Sequence, residues 1–252
     1  LDGLALKFFL WDKIEDFYLE EGARPDRIPI HDLDWTVDQL SEMLGRRLET
    51  YSANSITSLN QLCDNSLPFD AHLLCCYIAA GSPRDMIRFA QRMVDEKTKS
   101  NDGPGLISEI NIENALRIFS GERSRELYPQ FVGDLKRIGM ASFTISKISS
   151  DVYRVTTQAG RAKVQKWLEW GAVEQTGELP NPGNRPHYLY SVTDPRLAIV
   201  AKGNRPIVEI LSTCLAVCEC DILNVTDADV WNCKSCGRGI SPQRTLMDLV
   251  AK

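Results

Sequence analysis

The sequence predicts a mainly α fold of the α+β class, and three observations predict it. Residues 35 to 120 carry apolar positions at helical spacing behind sharp helix-start signals. Residues 121 to 204 read as three helices followed by a two-stranded hairpin, the outline of a winged helix-turn-helix. Residues 205 to 252 hold a helix, four closely paired cysteines and a last helix.

Taken in order, Leu4-Ala5-Leu6-Lys7-Phe8-Phe9-Leu10 reads as a strand apolar on both faces, which belongs inside a larger sheet. Because the chain opens at Leu1 with such a strand, we expect it to be the C-terminal part of a longer protein. A helix through Glu20 and a short extended piece, Ile28-Pro29-Ile30, complete residues 1 to 34. Thr36 with Gln39 three residues on is a capping box. Leu40, Met43, Leu44, Leu48 and Tyr51 follow on one face. Asp70 to Ala80 is the next helix. Ser82 is expected at an N-cap, Pro83 at the first helical position and Asp85 as the residue closing the box. Met86, Phe89, Ala90, Met93 and Val94 form that helix's apolar stripe.

Residues 97 to 105 are a polar loop, and Ile112 to Phe119 is a further helix. Leu127, Phe131, Leu135 and Ile138 then share a face, with Pro129 marking a kink or a start and Gly139 the end. Phe143-Thr144 is a short extended link. Helices are expected over 145–153 and 158–170, then a turn at Pro180-Asn181-Pro182-Gly183 and a strand over His187 to Val192.

The 252 residues are 43% hydrophobic and 25% charged, ordinary for a globular protein. The net charge of −5 does not advertise nucleic-acid binding, so any such contact needs a local basic face. No apolar run reaches the ~18 residues that span a bilayer, so no membrane contact is expected. Cys63, Cys75 and Cys76 lie in apolar helical text and read as core filler. Clustered cysteines favour a reducing compartment, hence a cytoplasmic protein.

Four candidate ligands stand out: Cys218, Cys220, Cys233 and Cys236, with twelve residues between the pairs. Two tight turns presenting two thiolates each are what tetrahedral zinc requires. Cys214 can replace Cys220 in that set. Gly237 suits a turn that needs a positive φ. A disulfide pair, free buried thiols or an iron–sulfur cluster are the alternatives. Arg84 is an exception of another kind. It sits in the first turn of its helix, where the macrodipole is positive and an acid is the expected residue. It either meets an anion or pairs with a neighbour on the surface.

Gly81-Ser82-Pro83-Arg84-Asp85-Met86-Ile87-Arg88 resembles the sensor-2 start of the helical lid in AAA-type and STAND-type P-loop ATPases, the KAP-like prokaryotic branch above all. Phe8 to Asp12 resembles a late core strand of such proteins. Arg27 to Trp35, leading into the helix that ends in Gly45-Arg46-Arg47-Leu48, resembles the last core strand and first lid helix. The resemblance implies four regions: the end of an ATPase core over 1–34, a helical lid over 35–120, a winged helix over 121–204 and a zinc-binding tail over 205–252. It also implies that Arg84 reads the phosphates of ATP held with magnesium by an upstream core, and that the lid moves a protein partner or another subunit.

The chain departs from the family in one respect. It contains no G-x-x-x-x-G-K-[ST] loop, so hydrolysis is not expected of it alone. Arg154, Arg161, Lys163 and Lys166 cluster about the presumed recognition helix and are the candidate nucleic-acid contacts. The competing reading is a non-enzymatic winged-helix and zinc-ribbon module that binds DNA or a protein. No H-E-x-x-H, G-x-S-x-G or G-x-G-x-x-G motif supports a different chemistry.

Overall fold

Helix-start chemistry sets most element boundaries in the computed structural model, which describes residues 35–100, 105–180, 185–226, 232–239 and 244–252. The strands expected at 4–10 and 28–30 and the helix between them lie outside the described residues.

Helix α1 spans Val37–Tyr51 behind the Thr36/Gln39 capping box, and Leu40 and Leu44 are its buried positions. Helix α2, Ala71–Ile78, starts at the Asp70 N-cap. Helix α3, Pro83–Lys99, starts at Ser82 with Pro83 in the first turn. Its stripe of Met86, Phe89, Ala90 and Met93 is buried, whereas Val94 is exposed at the edge. Asp85 does not close a box. The Ser82 hydroxyl accepts from the Asp85 amide, but the Asp85 carboxylate turns inward to two arginines. Asp is one methylene shorter than the Glu or Gln that usually reaches back to the N-cap amide.

Helix α4 runs without a break over Glu109–Leu127, well beyond the Ile112–Phe119 expected, and ends before Tyr128. The boundary drawn at residue 120 therefore falls inside a helix. Gly121 costs such a helix about 1 kcal/mol. Burial of Leu116 and Phe119 just before it holds the turn, against the cost of the buried Ser120 and Ser124 hydroxyls, which have no hydrogen-bond partner among the described residues. The ring of Phe119 stacks on Phe89 at 5.3 Å and joins α3 to α4.

Next come α5 (Val132–Ile138), strand β1 (Ser142–Thr144), the single turn α6 (Ile145–Lys147) leading into a π-helical stretch, Ile148–Tyr153, and then α7 (Thr157–Glu169). Strands β2 (Val173–Leu179) and β3 (His187–Val192) complete an antiparallel sheet in the order β1-β3-β2. Phe143 and Tyr190, paired across β1 and β3, stack at 6.5 Å. Trp167 of α7 packs edge-on to Phe143 at 5.7 Å. A chain of hydroxyls, Ser142 to Ser191 to Thr176, crosses all three strands at 2.7 and 2.9 Å and leaves none of the buried oxygens alone. Gly160 is where α7 meets the π-helical stretch: a Cβ there would lie 1.9 Å from the Ser149 Oγ.

Helix α8 (Pro195–Lys202) follows the sheet, and α9 (Ile207–Thr213) leads to the β4/β5 hairpin, Leu215–Val217 with Leu223–Val225. Helix α10 is Leu246–Val250. Residues 35 to 252 form one compact unit, with a main hydrophobic cluster from Leu40 of α1 to Val250 of α10 and a small second one of Ala216, Cys218 and Cys233. The architecture is mainly α with small sheets of two and three strands. Among the described residues no helix is long and apolar enough to cross a membrane.

Candidate functional site

The β4/β5 hairpin ends in a tight turn. Cys218 donates its amide to the Ile222 carbonyl at 3.0 Å, and Asp221, at φ +62°, donates to the Cys218 carbonyl at 2.9 Å. A second turn repeats the pattern. The Cys233 amide donates to Arg238 at 2.7 Å and the Gly237 amide to Cys233 at 2.9 Å, with Gly237 in the left-handed region at φ +71°. Only glycine takes that conformation without strain.

The two turns bring the Sγ atoms of Cys218, Cys220, Cys233 and Cys236 within 4.8 Å of one another. The separation is 3.5 Å for Cys218 to Cys236 and 3.6 Å for Cys220 to Cys233. A disulfide requires about 2.05 Å, and all four thiols are free. Four sulfurs each about 2.3 Å from a tetrahedral ion stand about 3.8 Å apart. The set can therefore hold a metal ion such as zinc. Cys214 lies outside the group; it is buried in the main core, and its carbonyl accepts from the Thr226 amide at 2.8 Å.

Donors surround the innermost sulfur. The Ser235 amide lies 3.4 Å and the Asn224 Nδ2 3.6 Å from the Cys233 Sγ. Burial works to raise the Cys233 pKa, but amides of Cys236 and Ser235, with Cys220 and Asn224, outweigh it and hold the thiol at about 6. Asn224 is buried and joins the two turns, since its side chain also donates to Ile222 O at 2.7 Å and accepts from Lys234 N at 2.9 Å. Sequence reasoning missed it because asparagine in a short hairpin looks like an ordinary turn residue.

The cysteine turns also tie distant segments together. Asn232 donates its amide to Thr176 O of edge strand β2 at 3.3 Å, and Lys234 Nζ reaches Thr193 O at 3.2 Å. Val217 takes the Arg244 carbonyl at 3.0 Å, and Ala216 bridges Thr245. Beyond α10, the Val250 carbonyl accepts from the Asp70 amide at 2.6 Å, and Ala251 bridges Phe69.

Arg84 is exposed in the first turn of α3 and makes no ion pair or hydrogen bond among the described residues. The other two arginines of α3 are committed. Arg88 binds both Glu126 oxygens of α4 at 3.0 and 2.8 Å, and Arg92 binds both Glu122 oxygens at 2.8 Å. Asp85, one residue on from Arg84 and 1% exposed, accepts from Arg123 Nε of α4 at 3.0 Å and Arg196 of α8 at 2.5 Å. Arg196 is in turn forked onto Asp194 at 2.8 and 2.6 Å. Burial opposes the charge of Arg196, but Asp194 and Asp85 outweigh it and raise its pKa above the usual arginine value. Glu126 also accepts from Arg123 Nη1, and hydrogen bonds from Arg88 and Arg123 pull its carboxyl down to about 2. Four carboxylates thus face four guanidiniums across α3, α4 and the start of α8. The start of α8 was not read from the sequence. Asp194-Pro195 nevertheless carries the same N-cap-then-proline signature as Ser82-Pro83.

Of the four basic candidates on the sheet-bearing region, Arg154, Arg161 and Lys166 are exposed and make no ion pair among the described residues. Lys163 is committed: its ammonium lies 4.4 Å over the Tyr153 ring and 3.7 Å from Asp134. Asp134 also accepts from Tyr153 Oη at 2.5 Å and Trp167 Nε1 at 3.2 Å. Gln158, Arg161, Ala162, Gln165 and Lys166 form the outer face of α7. His72 is a satisfied core residue; its Nδ1 accepts from the Leu59 amide at 3.2 Å. Cys63, Cys75 and Cys76 are buried, and desolvation pushes Cys63 up to about 11 and Cys76 up to about 12, so both stay as thiols.

Compared with known proteins, the chain matches no family model, no curated protein and no solved structure.

Proposed function

We propose that the chain is the C-terminal lid and coupling region of a prokaryotic P-loop ATPase or nucleotide switch. In the complete protein an upstream core binds ATP with magnesium, and Arg84 reads its terminal phosphates. The observation that carries this reading is the isolation of Arg84. It is the arginine of α3 without a partner among the described residues, and it stands at the positive end of that helix. A guanidinium in that place is disfavoured by roughly 0.3–1 kcal/mol until an anion arrives. Its planar fork then suits two phosphate oxygens.

On this reading the region 121–204 acts as a winged helix, supported by the strand order β1-β3-β2 and by α7 packed across the sheet. The metal is zinc, held by Cys218, Cys220, Cys233 and Cys236. Four thiolates close the coordination shell and leave no open position, so the ion is structural. Reduced thiols at both the metal site and the core fit a cytoplasmic protein.

The test is Arg84→Ala in the complete protein. Loss of a charge-assisted contact worth about 1.5–3 kcal/mol weakens ATP binding roughly 10- to 150-fold, with the melting temperature of the nucleotide-free protein unchanged or slightly raised. Wild-type ATP affinity and hydrolysis in that variant sink the reading.

A second reading is favoured by the exposed Arg154, Arg161 and Lys166: a nucleotide-independent module that docks DNA. It predicts binding that weakens steeply with salt, and a salt slope that falls by about one for each phosphate contact removed, as in Arg161→Ala.

A further inference from the structure

We infer that Asp85, through its buried bond to Arg196, makes the start of α8 move with the turn of α3 that carries Arg84. The inference rests on the lid reading above and deepens it.

Asp85 is held from two sides, by Arg123 of α4 and Arg196 of α8. Arg84 precedes it in the same first turn and lies one turn before Arg88 on the same face, exposed and without a carboxylate partner among the described residues. The turn that carries Arg84 is therefore bonded directly to α8.

The second half concerns transmission. Arg196 is itself anchored on both oxygens of Asp194, the N-cap of α8 and the second residue after β3. Asp85, Arg196 and Asp194 are all buried, so water cannot replace a lost partner. A displacement of the α3 start that follows Arg84 must carry α8 with it. The last strand of the sheet then receives the signal two residues away.

Three variants of the complete protein test this: Arg84→Ala, Asp85→Asn and Arg196→Gln. The readouts are ATP affinity and the ATP-dependent change in hydrogen exchange at residues 83–88 and 195–202. In the wild type both segments respond, and in Arg84→Ala neither does. Asp85→Asn and Arg196→Gln each cut the bond between α3 and α8 from one side; both keep ATP affinity within about threefold but lose the response of 195–202. If one of these two does not fold, the other decides, because loss of its 195–202 response supports coupling and retention overturns it. If Arg84→Ala is impaired while Asp85→Asn and Arg196→Gln both behave as wild type, coupling is overturned and the nucleotide reading stands. If Arg84→Ala behaves as wild type, both fall.

Discussion

Asp85 shows how far one side chain can depart from its local role. One carboxylate oxygen takes two guanidiniums, while the other, Oδ1, has only Arg88 Nη1 at 3.9 Å and no hydrogen-bond donor among the described residues. Removing the carboxylate takes a buried partner from both Arg123 and Arg196, although Arg196 keeps Asp194, and breaking a buried pair from one side costs about 3–5 kcal/mol. We therefore expect Asp85→Ala to lower unfolding stability by that amount in denaturant titration. Glu126→Gln is expected to cost far less. Its pKa is depressed from 4.5 to about 2, so its stabilisation is complete above pH 4.5 and is lost as pH falls toward 2. Glu126 is 45% exposed, and solvent screening limits the effect to under about 1 kcal/mol. Comparing the acid limbs of wild type and Glu126→Gln between pH 5 and pH 2 checks this, and parallel limbs would contradict it. The sequence marked Asp85 as a first-turn acid, which holds for its place in the helix. It could not mark the burial, because Arg123 and Arg196 lie 38 and 111 residues away.

At the scale of elements, the paired cysteines were legible because metal ligands must be close in sequence to share a turn. What they staple was not legible. Edge strand β2, the hairpin β4/β5 and the start of α2 are joined by long-range backbone pairing to the cysteine turns and the C-terminal segment. Chelating the metal is expected to free both turns. Exchange should then accelerate in 215–225 and 246–252 and at the Asp70 amide, while α4 amides stay protected. One metal ion per chain should be present before chelation, and Cys214→Ser should retain it where Cys233→Ser does not. Elemental analysis of the three proteins is the check. Gly160 makes the opposite point about legibility. A glycine inside a helical pattern looks like a weak spot, yet here it admits Ser149 of the π-helical stretch against α7. Gly160→Ala gains helix propensity but must displace a hydroxyl already bonded to Ile145 O, so a net loss of about 1–3 kcal/mol is expected. A variant more stable than wild type in thermal melts would refute that close approach.

For the molecule as a whole, the decisive fact is continuity of the core. Periodicity revealed each helix's apolar face, from Leu40 to Ile138, but not that these faces merge with Trp167, Leu197 and Val250 into one cluster. Helical spacing says which residues are buried and nothing about what buries them. A shared core favours shared unfolding of the helices and sheet it joins, while segments held by backbone pairing to the cysteine turns can still open locally. Phe89→Ala is the sharpest probe. Phe89 is wholly buried in α3 and stacks on Phe119, and loss of such a ring costs about 3–5 kcal/mol. If residues 35–252 unfold as one unit, exchange through global opening accelerates about 100-fold or more in α3 and by the same factor at Leu189 to Val192 of β3. Acceleration confined to α3 and α4 would mean that the sheet region keeps its own stability. The buried charge network at Asp85 and Arg196 would then join two parts of separate stability.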